Sequence, residues 1–442
     1  MTTTASQRSA PQWHDLTEPH GNTTTARRVL GQFLAATLRT FVGFPLADVA
    51  THNRPLYART VALVRAASAS DLGAALSLFR LPTVSTLVHC VAGQMHPLGD
   101  HAVRNRWLRQ LCQQILLELA VAHRLVEPVA VGPNQAGGYA QLATPTVNLA
   151  VAPTRACSQL RFANGVLTVD TPDGPLTIAL DGTKREPSRH VAISHPYHEI
   201  VAGQWLSTFD NNPLAMVEAH PDKQGNALSL GGRAIDEWLA ALRDALALID
   251  THLPLIGEEM RLIARVLVPV GYDAERHLSA SYRESIGTVY MTLHPQMMTM
   301  AEALIHEFQH NKLNMALHLD PLLTNAWSPL YASPVRPDPR PLHGVILAVH
   351  AFQPVARLYE EMHKAGHPLA DNAAWLQRYR KIVHLDRQGA ATVLDHAQPT
   401  PVGKPFFAEI AQIDAHLAEL ELQLGSQGAT QQGDFDELAG HD

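Results

Sequence analysis

His306-Glu307-Phe308-Gln309-His310 sets two imidazoles four residues apart, and on a helix that spacing projects both from one face, where they can grip a single divalent metal. The glutamate between them is then within reach of a metal-bound water. The segment must therefore be helical and mostly buried. Met297, Met300, Ala301, Leu304, Ile305, Phe308 and Leu313 supply the apolar face that buries it and turn His306 and His310 into a cleft. A chain with 25 histidines in 442 residues also meets this spacing by accident, with both rings merely capping core hydrogen bonds, so the flanking segments decide.

Upstream, RLIARVLVPV and ESIGTVYMTL read as two buried or half-buried strands, followed by the motif helix from about Gln296 to Leu317. Strand, strand, then a helix bearing H-E-x-x-H is the order of a metallopeptidase-like (zincin-like) site, in which a sheet edge beside the helix can hold an extended peptide. The expected fold is α+β and predominantly helical. Residues 26–155 read as a helical region interrupted by Pro45, Pro55, Pro82 and Pro97. Residues 156–255 hold a hairpin, LRFANGVLTVD and PLTIAL around the turn Thr171-Pro172-Asp173-Gly174, with connecting helices. Residues 256–424 form the metal-binding part, and the polar segments 1–25 and 425–442 read as disordered ends. No internal repeat or phosphate-binding glycine loop is visible.

Composition narrows the function. Hydrophobic residues make up 46% and charged residues 17%, which suits a packed core. A net charge of -7 argues against nucleic acid as the main partner, since phosphate binding needs a concentrated positive footprint. Three cysteines without a C-x-x-C pair, no signal-like N-terminus and no long apolar run fit a soluble protein of the reducing cytoplasm, with no membrane partner.

Two histidines do not complete a metal site, and the glycine and third histidine of H-E-x-x-H-x-x-G-x-x-H are missing from Asn311 to Ala316. His343 and His350 lie two helical turns apart in a helical run from His343 to Lys364. His350 is favoured as third ligand because it sits deeper in the apolar run, where an unpartnered imidazole is costly to bury. His343, Glu360 and Glu361 are the alternatives; the two glutamates also suit ion pairs with Arg357 and Lys364. His195-Pro196-Tyr197-His198-Glu199 reads as a surface loop.

Several blocks together resemble one family. IHEFQHNKLNMAL (305–317), RPDPRPL (336–342), AVHAFQPVARLY (348–359), SASYRESIGTV (279–289) and DNNPLAMVEAHPDKQGN (210–226) are similar to the H-E-x-x-H proteins found beside peptide natural-product gene clusters, described as α-ketoglutarate-dependent peptide β-hydroxylases. The resemblance implies iron(II), O2 and 2-oxoglutarate acting on an unactivated C–H bond of a ribosomally made precursor peptide. It also implies His306, His310 and His350 as ligands, with a histidine where such oxygenases usually place a carboxylate. The distal carboxylate of 2-oxoglutarate then needs a cation, for which Arg340 and Arg283 are the candidates, although each also has an acidic neighbour, Asp338 and Glu284. Glu307 would orient a ligand or substrate in an oxygenase. In the competing readings it is the general base of a zinc metallopeptidase, or part of a metal-bearing binding protein without turnover.

Overall fold

The computed structural model describes residues 13–93, 101–184, 186–217, 225–334 and 336–426. Five helices come first: α1 (Thr24–Val42), α2 (Arg54–Ser70), α3 (Leu72–Phe79), α4 (Pro82–Ala92) and α5 (His101–Val121). Pro55 and Pro82 sit in the first turns of α2 and α4, where a missing N–H leaves no helical bond unmade. From Leu111 to Ala120 every residue of α5 is buried, which makes that stretch the centre of this helical layer. Among the described residues no single helix is long and apolar enough to cross a membrane; α3 and α4 pass such a test only as a pair bent by 74°.

Nine strands follow: β1 (Val129–Val131), β2 (Leu142–Thr144), β3 (Leu149–Pro153), β4 (Gln159–Ala163), β5 (Val166–Thr171), β6 (Gly174–Ala179), β7 (Val191–Ser194), β8 (Tyr197–Val201) and β9 (Gln204–Ser207). The hairpin read from the sequence is the β5–β6 pair, with Thr171 opposite Gly174. A second turn at Asn164-Gly165, with Gly165 at φ +70°, joins β4 to β5, and β1 extends the sheet in the order β1-β4-β5-β6. β2, β3 and β7 make a separate antiparallel sheet.

Then come α6 (Ile235–His252), α7 (Pro254–Ile263), β10 (Val266–Tyr272), β11 (Ser279–Ala280), β12 (Thr288–Leu293) and α8 (Met297–Leu319), the motif helix. β12, β10 and β9 run parallel inside a five-stranded sheet ordered β11-β12-β10-β9-β8, and the two edge strands run antiparallel to their neighbours. Every residue of β12 is buried, as a central parallel strand requires. A two-stranded ribbon, β13 (Leu330–Tyr331) with β14 (Arg340–Pro341), leads into α9 (Leu342–Lys364), and α10 (Ala373–His396) and α11 (Lys404–Ser426) complete the order. α8 packs against β12 and is surrounded by α1, α6, α7 and α9.

The architecture is mixed α+β and mainly helical, in line with the expectation from sequence. Four expectations are corrected. The helical region does not reach residue 155, because β1 to β3 lie within it; strands of three residues are too short to show a period of two. The His195–Glu199 stretch is not a surface loop throughout, since Tyr197 opens β8 and is buried. The first 25 residues are not wholly outside the fold: Trp13, Leu16 and Thr17 are fully buried, and α1 begins at Thr24. The tail expected from residue 425 does not start there, since α11 runs to Ser426; residues 427–442, like 1–12 and 218–224 of the 210–226 block, lie outside the described residues.

Candidate metal site

α8 is buried nearly all round, so its polar residues are held one by one rather than by solvent. Asn311 accepts from the backbone N–H of Gly287 at 2.7 Å and donates to the carbonyls of Thr288 and Glu307, which fastens the helix to the start of β12. Gly287 has φ +92°, a conformation that suits glycine at this turn. Lys312 and Glu259 of α7 form an ion pair at 2.6 Å with both side chains inaccessible. Gln309, also fully buried, donates from Nε2 to the carbonyl of Thr17 at 2.7 Å.

These fastenings fix the rotation of α8 and hence the direction of its two imidazoles. The rings of His306 and His310 lie with centroids 4.3 Å apart at 74° to one another, and His306 also packs edgewise on Phe352 of α9 at 4.9 Å. Nδ1 of His310 is buried without a hydrogen-bond partner. Burial lowers the pKa of His310, with the Glu307 charge opposing it, so the ring is held in the neutral form that a metal requires. Glu307 itself is 3% exposed, and its Oε2 accepts from the Ser281 hydroxyl at 2.6 Å, just beyond β11.

His350 is completely buried, and its Nε2 lies 3.1 Å from the Leu16 carbonyl. A carbonyl only accepts, so Nε2 carries the proton and Nδ1 the lone pair. That Nδ1 has no hydrogen-bond partner, and burial, followed by the charge of Lys312, pushes the pKa of the ring down to about 3. His343 stacks on Trp327 with centroids 4.4 Å apart; burial, then the charges of Arg283 and His310, pushes it down to about 4. His310 thus stands in the electrostatic surroundings of both His343 and His350. Among the described residues, however, no group of three or more His, Cys, Asp or Glu side chains converges as a metal site.

The remaining candidates separate clearly. Glu360 is tied up by Arg357 at 2.8 Å, Lys364 at 2.7 Å and His416 at 2.9 Å, and Glu361 pairs with Arg357 at 3.0 Å, so neither carboxylate is a spare ligand. Arg340 pairs with Asp338 at 2.9 Å. Arg283 is partly buried and donates weakly, at 3.4 Å, to the Leu317 carbonyl near the end of the motif helix, and it is the arginine whose charge reaches His343. Sequence reasoning missed Ser281, Asn311 and the contacts of Leu16 and Thr17. Ser281 and Asn311 lie inside blocks already singled out for other residues, whereas nothing in the N-terminal segment signalled its position.

As a donor set, two imidazoles on one helix face, of which burial keeps that of His310 neutral, fit a divalent cation through two coordination positions and leave the rest to water or to an oxygen ligand. No protein-family model matches this chain, and no curated protein matches it.

Proposed function

We propose that the chain is an iron(II)- and 2-oxoglutarate-dependent oxygenase that hydroxylates the β-carbon of a residue in a ribosomally made precursor peptide. The observation that carries the proposal is the pairing of His306 and His310 on one helix face, with ring centroids 4.3 Å apart, while the charges of His310 and of the partly buried Arg283 both act on His343, which makes Arg283 the candidate cation for a keto acid's distal carboxylate. His350 is the proposed third ligand through Nδ1. Iron with the keto acid and O2 supplies the oxidation of an unactivated C–H bond. The protein's residues hold the metal, orient the keto acid through Arg283 and keep Glu307 fixed through Ser281. With one oxygen committed to Ser281 and little exposed surface, Glu307 suits orientation of a ligand better than activation of water.

One observation favours the second reading, a zinc metallopeptidase with Glu307 as general base. β11 is a short antiparallel edge strand beside the motif helix, as a zincin-like cleft would need for an extended peptide. Anaerobic loading with iron, 2-oxoglutarate and the precursor peptide, followed by oxygen, separates the two. Hydroxylation adds one oxygen atom to the peptide mass and yields succinate. Cleavage fragments that form with zinc in the absence of 2-oxoglutarate sink the first reading.

A further inference from the structure

The segment from Trp13 to Glu18 crosses the faces of three helices that are far apart in sequence. Glu409, in the second turn of α11 and 6% exposed, receives the backbone N–H groups of Leu16 at 2.8 Å, Thr17 at 2.8 Å and Glu18 at 2.9 Å on its two carboxylate oxygens. The carbonyls of two of these residues are held by other helices: Thr17 accepts from Gln309 of α8 and Leu16 from His350 of α9. Trp13 and Leu16 are themselves fully buried. One carboxylate therefore clamps a strap whose two carbonyls hold the residue next to His310 and the imidazole that faces the motif helix from α9.

We infer that Glu409 is a positioning residue for the metal site, acting through the strap of residues 13–18 on Gln309 and His350. Three charge-assisted bonds fix the strap's backbone, which no side-chain packing alone would orient so tightly. With the strap fixed, the Thr17 carbonyl sets the rotation of α8 one residue before His310 and three after His306. The Leu16 carbonyl fixes the proton on Nε2 of His350 and leaves Nδ1 as its donor atom. Groups that orient metal ligands from behind typically change affinity by about 10–100-fold when removed, and an imidazole pair that must meet one ion tolerates little rotation of its helix. The inference rests on His306 and His310 as the metal-holding pair and not on the reaction catalysed.

Its test is cobalt(II) binding to the full chain, read both as affinity and as the visible ligand-field spectrum. Glu409→Gln keeps the shape but replaces one acceptor oxygen by a donor facing the strap's N–H groups, and Gln309→Met keeps the volume but removes the bond to Thr17. Both are expected to weaken cobalt binding by about tenfold or more and to change the spectrum, at a temperature where each variant is folded. Folded variants with the affinity and spectrum of the unaltered chain overturn the inference, because a purely structural strap would lower the melting temperature alone. If Glu409→Gln does not fold, Gln309→Met decides in the same way. His306→Ala is the control: cobalt binding unchanged in that variant removes the metal pair itself, and the inference falls with it.

Discussion

Lys312 shows how the motif helix sets single residues against one another. Two positions beyond His310, it lies with Glu259 in a pair from which water is excluded. Burial pulls the Glu259 pKa up and the Lys312 charge pulls it back. Removing one partner of such a pair leaves an uncompensated buried charge, so Lys312→Met is expected to cost about 3–5 kcal/mol by denaturant unfolding. Replacing both, Lys312→Met with Glu259→Leu, should recover most of that loss; a single variant as stable as the unaltered chain would show the pair to be inert. At this scale the sequence was legible where spacing carries the information. Two histidines four apart announce their common face. Glu409 announces nothing, since a glutamate in an amphipathic helix reads as a solvated one, and its partners are backbone groups about 390 positions away. His350 was singled out as a buried imidazole in need of a partner, and burial is what the structure shows, but the partner it reveals is a carbonyl of the N-terminal segment.

Between elements, the junction of α1, α4 and α8 carries a pH dependence of its own. His89 of α4 and His318 of α8 lie with ring centroids 4.5 Å apart; Nε2 of His89 sits 3.2 Å from the Thr37 hydroxyl, and Nε2 of His318 donates to the Arg283 carbonyl at 2.6 Å. Burial pushes His318 down to about 4 and holds His89 well below the usual range. In the unfolded chain both titrate near 6.5, so between about pH 6.5 and 4 the unfolded state binds more protons than the folded one. Stability from this junction is thus complete above about pH 6.5 and lost as the pH falls through that window. The melting temperature of the metal-free chain should drop between pH 7 and 5, and the double variant His89→Gln with His318→Gln should flatten the slope. An unchanged slope in that variant places the titration elsewhere. Helices with long periodic runs were legible: α8 and α9 begin and end close to where the pattern puts them, whereas β10 and β12 start later than RLIARVLVPV and ESIGTVYMTL suggest, since Arg261 to Ile263 close α7 and an apolar run does not show where helix gives way to strand. β1 and β2 were not, because three residues are held as strand by their pairing partners rather than by their own pattern.

For the molecule as a whole, the order of elements could be read but the closure of the chain upon itself could not. A polar, threonine-rich beginning gives no hydrophobic period, yet Trp13 and Leu16 enter the core that α8, α9 and α11 share. Two apolar residues with turn-like neighbours are too few to outvote composition, and their docking is paid for by tertiary partners that only the folded chain provides. A chain shortened to begin at Thr23 therefore loses the burial of Leu16, about 1.5–3 kcal/mol, and at least as much again for Trp13. It also strips the three N–H donors from Glu409, whose pKa burial already raises. The shortened chain should unfold at distinctly lower denaturant, by roughly 4 kcal/mol or more at equal slope. A chain beginning at Trp13 keeps these contacts and should hold on to that stability. Equal midpoints for the two shortened chains would mean that the strap rests on the helices without supporting them. A separation of the midpoints joined to weaker cobalt binding in the shorter chain alone would tie the metal site to the strap of residues 13–18.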